Sequence, residues 1–177
     1  MACLLISGRS EPCKDSLGGL KAAYFINYID NAFTVASGET TAINVAVTAA
    51  FKYDLRADGN TFGQATVSDK NAGTTVTTQT ITLALKKLDK DSSLQVDLMA
   101  KGRPIVVIQD RNDNYLLAGL SEGCDLTGSD INSGGARADF NGYNLTFEAQ
   151  EGSLAPFLDA ATITALQTLV SASIINP

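Results

Sequence analysis

The residues that could do chemistry fall into a few short clusters, and what the chain lacks limits them first. Among its 177 residues there is no histidine. That removes the commonest general base and metal ligand, and with it Ser-His-Asp and Cys-His catalysis. Cys3, Cys13 and Cys124 are odd in number and lack CxxC spacing, so neither a zinc site nor a disulfide framework is expected. Each reads as a small buried or half-buried thiol, and Cys3 and Cys13 could be bridged only in an oxidising compartment. Asp58-Gly59-Asn60 and Asp110-Arg111-Asn112-Asp113-Asn114 have the oxygen density of calcium loops. Neither is closed by the Glu that an EF-hand requires, so both read as turns. Glu148 and Glu151 are paired carboxylates with no cleft to act in, and read as a solvated strand end. Gly134-Gly135 belongs to no phosphate-binding motif, and Lys86-Lys87 beside Arg103 reads as solvating charge. No acid–base set can be assembled, so the expectation is a protein that is not an enzyme and carries no cofactor or metal.

The elements that position these residues are mostly strands. The chain is organised around Arg103–Gln150. Pro104-Ile105-Val106-Val107-Ile108-Gln109 is too short for a helix and rich in β-branched residues. Asp110–Asn114 turns it, and Tyr115–Gly119 leads back as the second strand of a hairpin buried on both faces. Glu122–Arg137 reads as a Gly- and Asp-rich crossing. In Phe140–Glu148, Tyr143, Leu145 and Phe147 alternate with Asn144, Thr146 and Glu148, which predicts a strand with one apolar face.

Ahead of this stretch, Leu20–Ile29 and Asn31–Val35 read as strands, and Ser37–Thr41 as a loop. Ala42–Leu55 reads as one strand with a bulge at Ala49-Ala50. Thr61–Ser68, a turn at Asp69–Gly73 and Thr74–Leu85 form a long Thr-rich hairpin. Its Thr-dense half is polar on both faces, so it needs a partner sheet to pair with or lie on. Asp89 caps a helix that runs to about Lys101 with Leu94 and Leu98 as its buried stripe, Met99 alongside, and Gly102 ending it. Ile163, Leu166, Leu169 and Val170 have helical spacing, and Ser171–Pro177 trail off. The expected fold is mainly β (α+β): β-sandwich or barrel-like sheets, the long hairpin, one central helix and a C-terminal helical segment. Residues 1–177 read as a single domain, with 1–19 an extended arm and 156–177 a packing segment.

Bulk properties narrow the partners. With 45% apolar residues the chain can bury a sizeable core. Its net charge of −6 leaves no basic footprint for nucleic acid. Met1-Ala2-Cys3-Leu4-Leu5-Ile6 lacks a basic n-region, and no stretch reaches the ~20 apolar residues that span a bilayer. The expectation is a protein made in a cytoplasm, soluble and without a membrane partner.

Three stretches carry a family resemblance: Cys13-Lys14-Asp15-Ser16-Leu17-Gly18-Gly19-Leu20-Lys21 leading into Tyr24-Phe25; Gly102-Arg103-Pro104 through Asp110-Arg111-Asn112-Asp113-Asn114-Tyr115; and Asp139-Phe140-Asn141-Gly142-Tyr143-Asn144-Leu145-Thr146-Phe147. Together, covering about a third of the chain, they resemble virion structural proteins of tailed bacteriophages, particularly those of Bacteroidota hosts. The layout of sheet, long hairpin, helix and second sheet is similar to tail tube proteins. The resemblance implies stacked, hexameric, homo-oligomeric rings in a virion assembled in the host cytoplasm. It implies as further partners other virion proteins and double-stranded DNA, which would pass without specific binding. It further implies an acidic lumen, sought among Asp54, Asp58, Asp69, Glu148 and Glu151. An intersubunit hairpin would dock through Phe62, Val67, Thr75 and Val76, with both terminal segments reaching adjacent rings. A capsid decoration protein or head–tail connector, and a soluble β-sandwich binding module, are the competing readings.

Overall fold

In the computed structural model, Leu5 and residues 7–170 are described, and they form two β-sheets and two helices. Cys3 and the trailing Ser171–Pro177 lie outside the described residues, as does most of the apolar start of the arm.

The larger sheet has seven strands. They are β1 (Leu20–Ile26), β2 (Phe33–Ala36), β3 (Glu39–Ile43), β4 (Phe51–Asp54), β7 (Ile105–Asp110), β8 (Tyr115–Ala118) and β11 (Phe157–Leu158), in the order β2-β3-β11-β8-β7-β1-β4. Neighbours are antiparallel except β11 and β3. The apolar run Ile105–Ile108 is fully buried, as its β-branched composition predicts for a strand covered on both faces. The smaller sheet holds β5 (Thr61–Asp69), β6 (Thr74–Lys86), β10 (Gly142–Glu151) and β9 (Asp125–Asn132), in the order β5-β6-β10-β9 and antiparallel throughout. The helices are α1 (Lys90–Lys101) and α2 (Ala160–Leu169).

Two apolar clusters lie on either side of the seven-stranded sheet. One joins Ala23, Phe25, Val106 and Ile108 to Ile81, Leu83, Leu145 and Phe147 of the smaller sheet and to Val96 of α1. The rings of Phe25 and Phe147 meet here at 5.2 Å. The other joins Tyr24, Ile26, Ile105, Val107 and Leu117 to Leu166 of α2, with Ile163 and Leu169 packed against it.

Several expectations need correction. Ser37–Thr41 is not a loop: Ser37 and Gly38, at φ 55° and 85°, make the tight turn between β2 and β3, the left-handed pair that matches strand twist. Ala42–Leu55 is not one bulged strand. Asn44 folds it, its Oδ1 accepting from Ala46 N at 2.9 Å and its Nδ2 donating to Asn31 O at 3.3 Å. The crossing expected at Glu122–Arg137 contains a full edge strand, β9. α1 has the expected Asp89 cap, which accepts from Ser92 N at 2.7 Å, and it ends at Gly102. Its buried residue is Val96, however, while Leu94 and Leu98 are 54% and 53% exposed. The Thr-dense part of β6 is polar by type, yet Thr77 and Gln79 are buried. The C-terminal segment does more than pack, because β11 is inserted between β3 and β8. Asp159 caps α2, accepting from Thr162 N at 2.7 Å.

Candidate functional site

The clusters that could do chemistry are occupied by structural work. Asp110 Oδ1 accepts from the backbone N–H groups of Asn112 and Asn114, both at 2.8 Å, and its Oδ2 accepts from Asn114 Nδ2 at 2.8 Å. Burial works to raise this carboxyl, but the donors of Asn114 and Asn112 outweigh it and hold the group below its ordinary value. Its oxygens close a turn and are not presented to a cation. Among the described residues no three Asp, Glu or Cys side chains converge as a metal centre would require. Cys124 is buried, and burial first, then the nearby Glu151 charge, pushes its thiol up to about 12; Cys13 is exposed on the arm. A cleft of about 480 Å³ opens between α1 and the β1 and β4 strands. Arg103 lies over the Tyr28 ring there, 4.0 Å from its centre. The lining is aromatic and aliphatic with Asn27, Gln95 and Arg103, and contains no carboxylate or thiol.

The surface with the most distinctive composition is the outward face of the four-stranded sheet. Alternation from the buried Tyr143, Leu145 and Phe147 places Asn144, Thr146, Glu148 and Gln150 of β10 on that face. Their cross-strand partners follow: Thr78, Thr80 and Thr82 on β6, then Gly128 and Asp130 on β9, with Asp125 opposite Glu148. On β5 the same face carries Thr61, Gly63, Ala65, Val67 and Asp69. Four of its charged residues are acidic (Asp69, Asp125, Asp130 and Glu148), and Lys86 at one end is the single basic residue of the four strands. The face is thus small-residued, Thr-rich and negative.

The five acidic residues singled out in the sequence do not share one surface. Asp69 and Glu148 are on this face. Asp54 ends β4 on the other sheet and pairs with Lys52 at 2.9 Å. Asp58 sits fully exposed in the β4–β5 connection, 3.9 Å from Arg111. Glu151 is not at a solvated strand end. It is 6% exposed, and its Oε1 accepts from Ser121 N at 2.8 Å. Gln79, also buried, accepts from Gly119 N at 3.1 Å, so the two side chains hold the loop that carries the chain from one sheet to the other. Asp125 and Asp130 were missed because their segment read as a crossing. Of the hairpin residues, Phe62 packs against the inter-sheet cluster. Val67 and Val76 are cross-strand partners on the outward face, and Val67 is 70% exposed. Thr75 Oγ1 lies 3.1 Å from Ser68 Oγ near the tip.

Among the described residues, no further strand pairs with either edge of this sheet. β5 pairs with β6 through nine consecutive positions without a bulge, and it carries no Lys or Pro, the devices that usually blunt an edge. Since each strand is antiparallel to the next, β5 and β9 run in opposite directions. The arm leaves the body at Leu17, whose N–H and C=O both bond the Asn112 side chain at 2.8 Å; residues 7–16 are exposed. In comparisons with known proteins, no family model, curated protein or solved structure matches this chain.

Proposed function

We propose that the chain is a tail tube subunit of a tailed bacteriophage, a structural protein that assembles with copies of itself into rings that stack around a DNA-conducting lumen. The observation that carries this reading is the four-stranded sheet, whose negative outward face is flanked by two edge strands of opposite direction. A second copy related by rotation alone brings its β5 antiparallel to β9 of the first, so the sheet continues without a break. Repeated head-to-tail, such a contact closes into a ring. Closure removes both edges and encloses the outward faces in a barrel. Its wall would carry Asp69, Asp125, Asp130 and Glu148 from every copy, and few positive charges. DNA phosphates would be repelled from it and slide past instead of sticking. Asp54, Asp58 and Glu151 take no part in this wall. The exposed arm, with its root at the β7–β8 turn, is available to an adjacent ring.

Negative-stain microscopy of the purified protein across a range of concentrations tests the reading. Hollow rings or stacked tubes are the expected result. Compact monomers at every concentration would overturn it.

A further inference from the structure

We infer that the segment after Val170, Ser171–Pro177, lies along the outer edge of β4 of the same molecule as an eighth, parallel strand of the larger sheet, and walls the cleft beside α1. The inference is independent of the ring reading. Three observations lead to it.

The first is the point at which the chain leaves α2. Ala50 N donates to Leu169 O at 2.8 Å, and Ala50 and Val170 form a parallel bridge. At φ −59° and ψ 118°, Val170 has left the helix. Ala50 directly precedes β4, so the chain passes Val170 already beside that strand and running in its direction. At roughly 3.3 Å per residue the segment reaches about 23 Å. That is well past the end of the four-residue β4.

The second is the edge it meets. Among the described residues β4 has β1 on one side and no named strand on the other. Leu55 N donates to Lys21 O at 2.9 Å on the β1 side, whereas Ala50 N is turned the opposite way, to Leu169. Backbone groups alternate in direction along a strand. Those of Phe51 and Tyr53 are therefore used on β1, and those of Lys52 and Asp54 point to the outer edge, in line with Ala50. Each of the two offers that edge one donor and one acceptor.

The third is side-chain parity. Val170 packs with Ala50 in the cluster under α2, so Ser171, Ser173 and Ile175 fall on the other face, in register with Phe51, Tyr53 and Leu55. Phe51 and Tyr53 line the cleft with Leu98 and Met99 of α1, and Phe51 is 36% exposed. An added strand supplies the outer flank of these rings. The segment suits the place: it carries no charge, Ile174-Ile175 favour a strand, and Pro177 ends the ladder.

The test has two arms. In the first, hydrogen exchange is read by mass spectrometry on peptides spanning β4, in the full chain and in Ser173→Pro. Continued from Ala50, the ladder uses the Ser173 N–H to reach Lys52 O, and proline removes that donor. The Lys52 and Asp54 amides should exchange at least about tenfold faster in the variant, with peptides of β7 unchanged. In the second arm, Asp54→Cys/Ile174→Cys sets two thiols opposite each other in a Cys3→Ser/Cys13→Ser background, and Asp54→Cys/Ile175→Cys sets them on opposite faces. Asp54 is exposed and its ion pair with Lys52 contributes little to the fold. On oxidation the first pair should close within one chain and the second should not. Exchange unaltered by Ser173→Pro, or equal closure of the two pairs, would overturn the inference. So would a bond from the first pair that links two chains, which would give the edge to a neighbour's segment. None of these readouts depends on whether rings form, so this inference and the tube reading can fail separately.

Discussion

Replacing Tyr143 with Phe deletes one oxygen from a fully buried residue and leaves the ring in place. That oxygen donates to Asp89 O at 2.9 Å, lies 2.6 Å from Ser93 Oγ and accepts from Asp89 N at 3.3 Å. Each such bond contributes on the order of 1 kcal/mol net, and stranding a partner costs more than the bond alone. Here the partners can recover some water, because Ser93 is exposed and Asp89 half-exposed. We therefore expect Tyr143→Phe to lose about 2 kcal/mol. For a chain of this length that corresponds to a melting temperature lower by roughly 4–8 °C. Urea unfolding followed by circular dichroism should show a lower midpoint at an unchanged slope. In a double-mutant cycle, Ser93→Ala and Tyr143→Phe should couple by at least ~0.5 kcal/mol, since they share a bond. A Tyr143→Phe variant within ~0.5 kcal/mol of wild type, or strict additivity with Ser93→Ala, would refute the argument that this hydroxyl ties α1 to the sheet.

Gly123→Ala should be severely destabilising, by at least ~3 kcal/mol in the same urea assay: at φ 81° a Cβ is strained, and it would stand 2.5 Å from Arg103 O. Asp89 is held below its ordinary value of 3.8 by Ser92, Asp159 by Thr162, Asp139 by the Ala136 and Gly135 N–H groups, and Asp113 by Lys21. Groups whose folded pKa is depressed stabilise the fold above their unfolded value and lose that contribution as pH falls through the folded one. Stability should therefore be level above about pH 5 and fall below pH 4; Asp89→Asn, which keeps a capping oxygen but cannot titrate, should make that fall shallower, and an unchanged slope would count against the assignment. Alkylation of the native protein at pH 8 should modify Cys13 and leave Cys124 untouched until denaturant is added, read by mass spectrometry of peptides.

Legibility in the sequence followed contrast between neighbouring positions. Tyr143, Leu145 and Phe147 alternate with polar residues, and all three are buried. The β-branched run of β7 and the Asp89 cap were equally plain. β9 gave no such contrast: only Leu126 and Ile131 are apolar among its eight residues, because a strand at a sheet edge with one wet face has little to bury. On α1 the i, i+4 leucines mark a stripe, but spacing alone does not say which way a stripe faces; Val96 went inward, with Met99 at i+3 packed against the same cluster. Glu151 was within reach of the same parity that placed Tyr143. Ending the strand at Glu148 hid that residues 149 and 151 continue its inner face. The acidic surface was half legible for a related reason: two of its four members lie on the strand that was read as a crossing.

β7 has a consequence for how this chain can change. Val106 and Ile108 belong to one apolar cluster and Ile105 and Val107 to the other, and Ala23/Phe25 and Tyr24/Ile26 of the neighbouring β1 divide in the same way, so these two paired strands are the party wall between two separately filled rooms. Substitutions lining different rooms touch no common side chain, and their effects should add. The room under α2 can be remodelled without disturbing the one that fixes the four-stranded sheet. A shift in the wall itself is felt on both sides at once, which gives β1 and β7 little latitude.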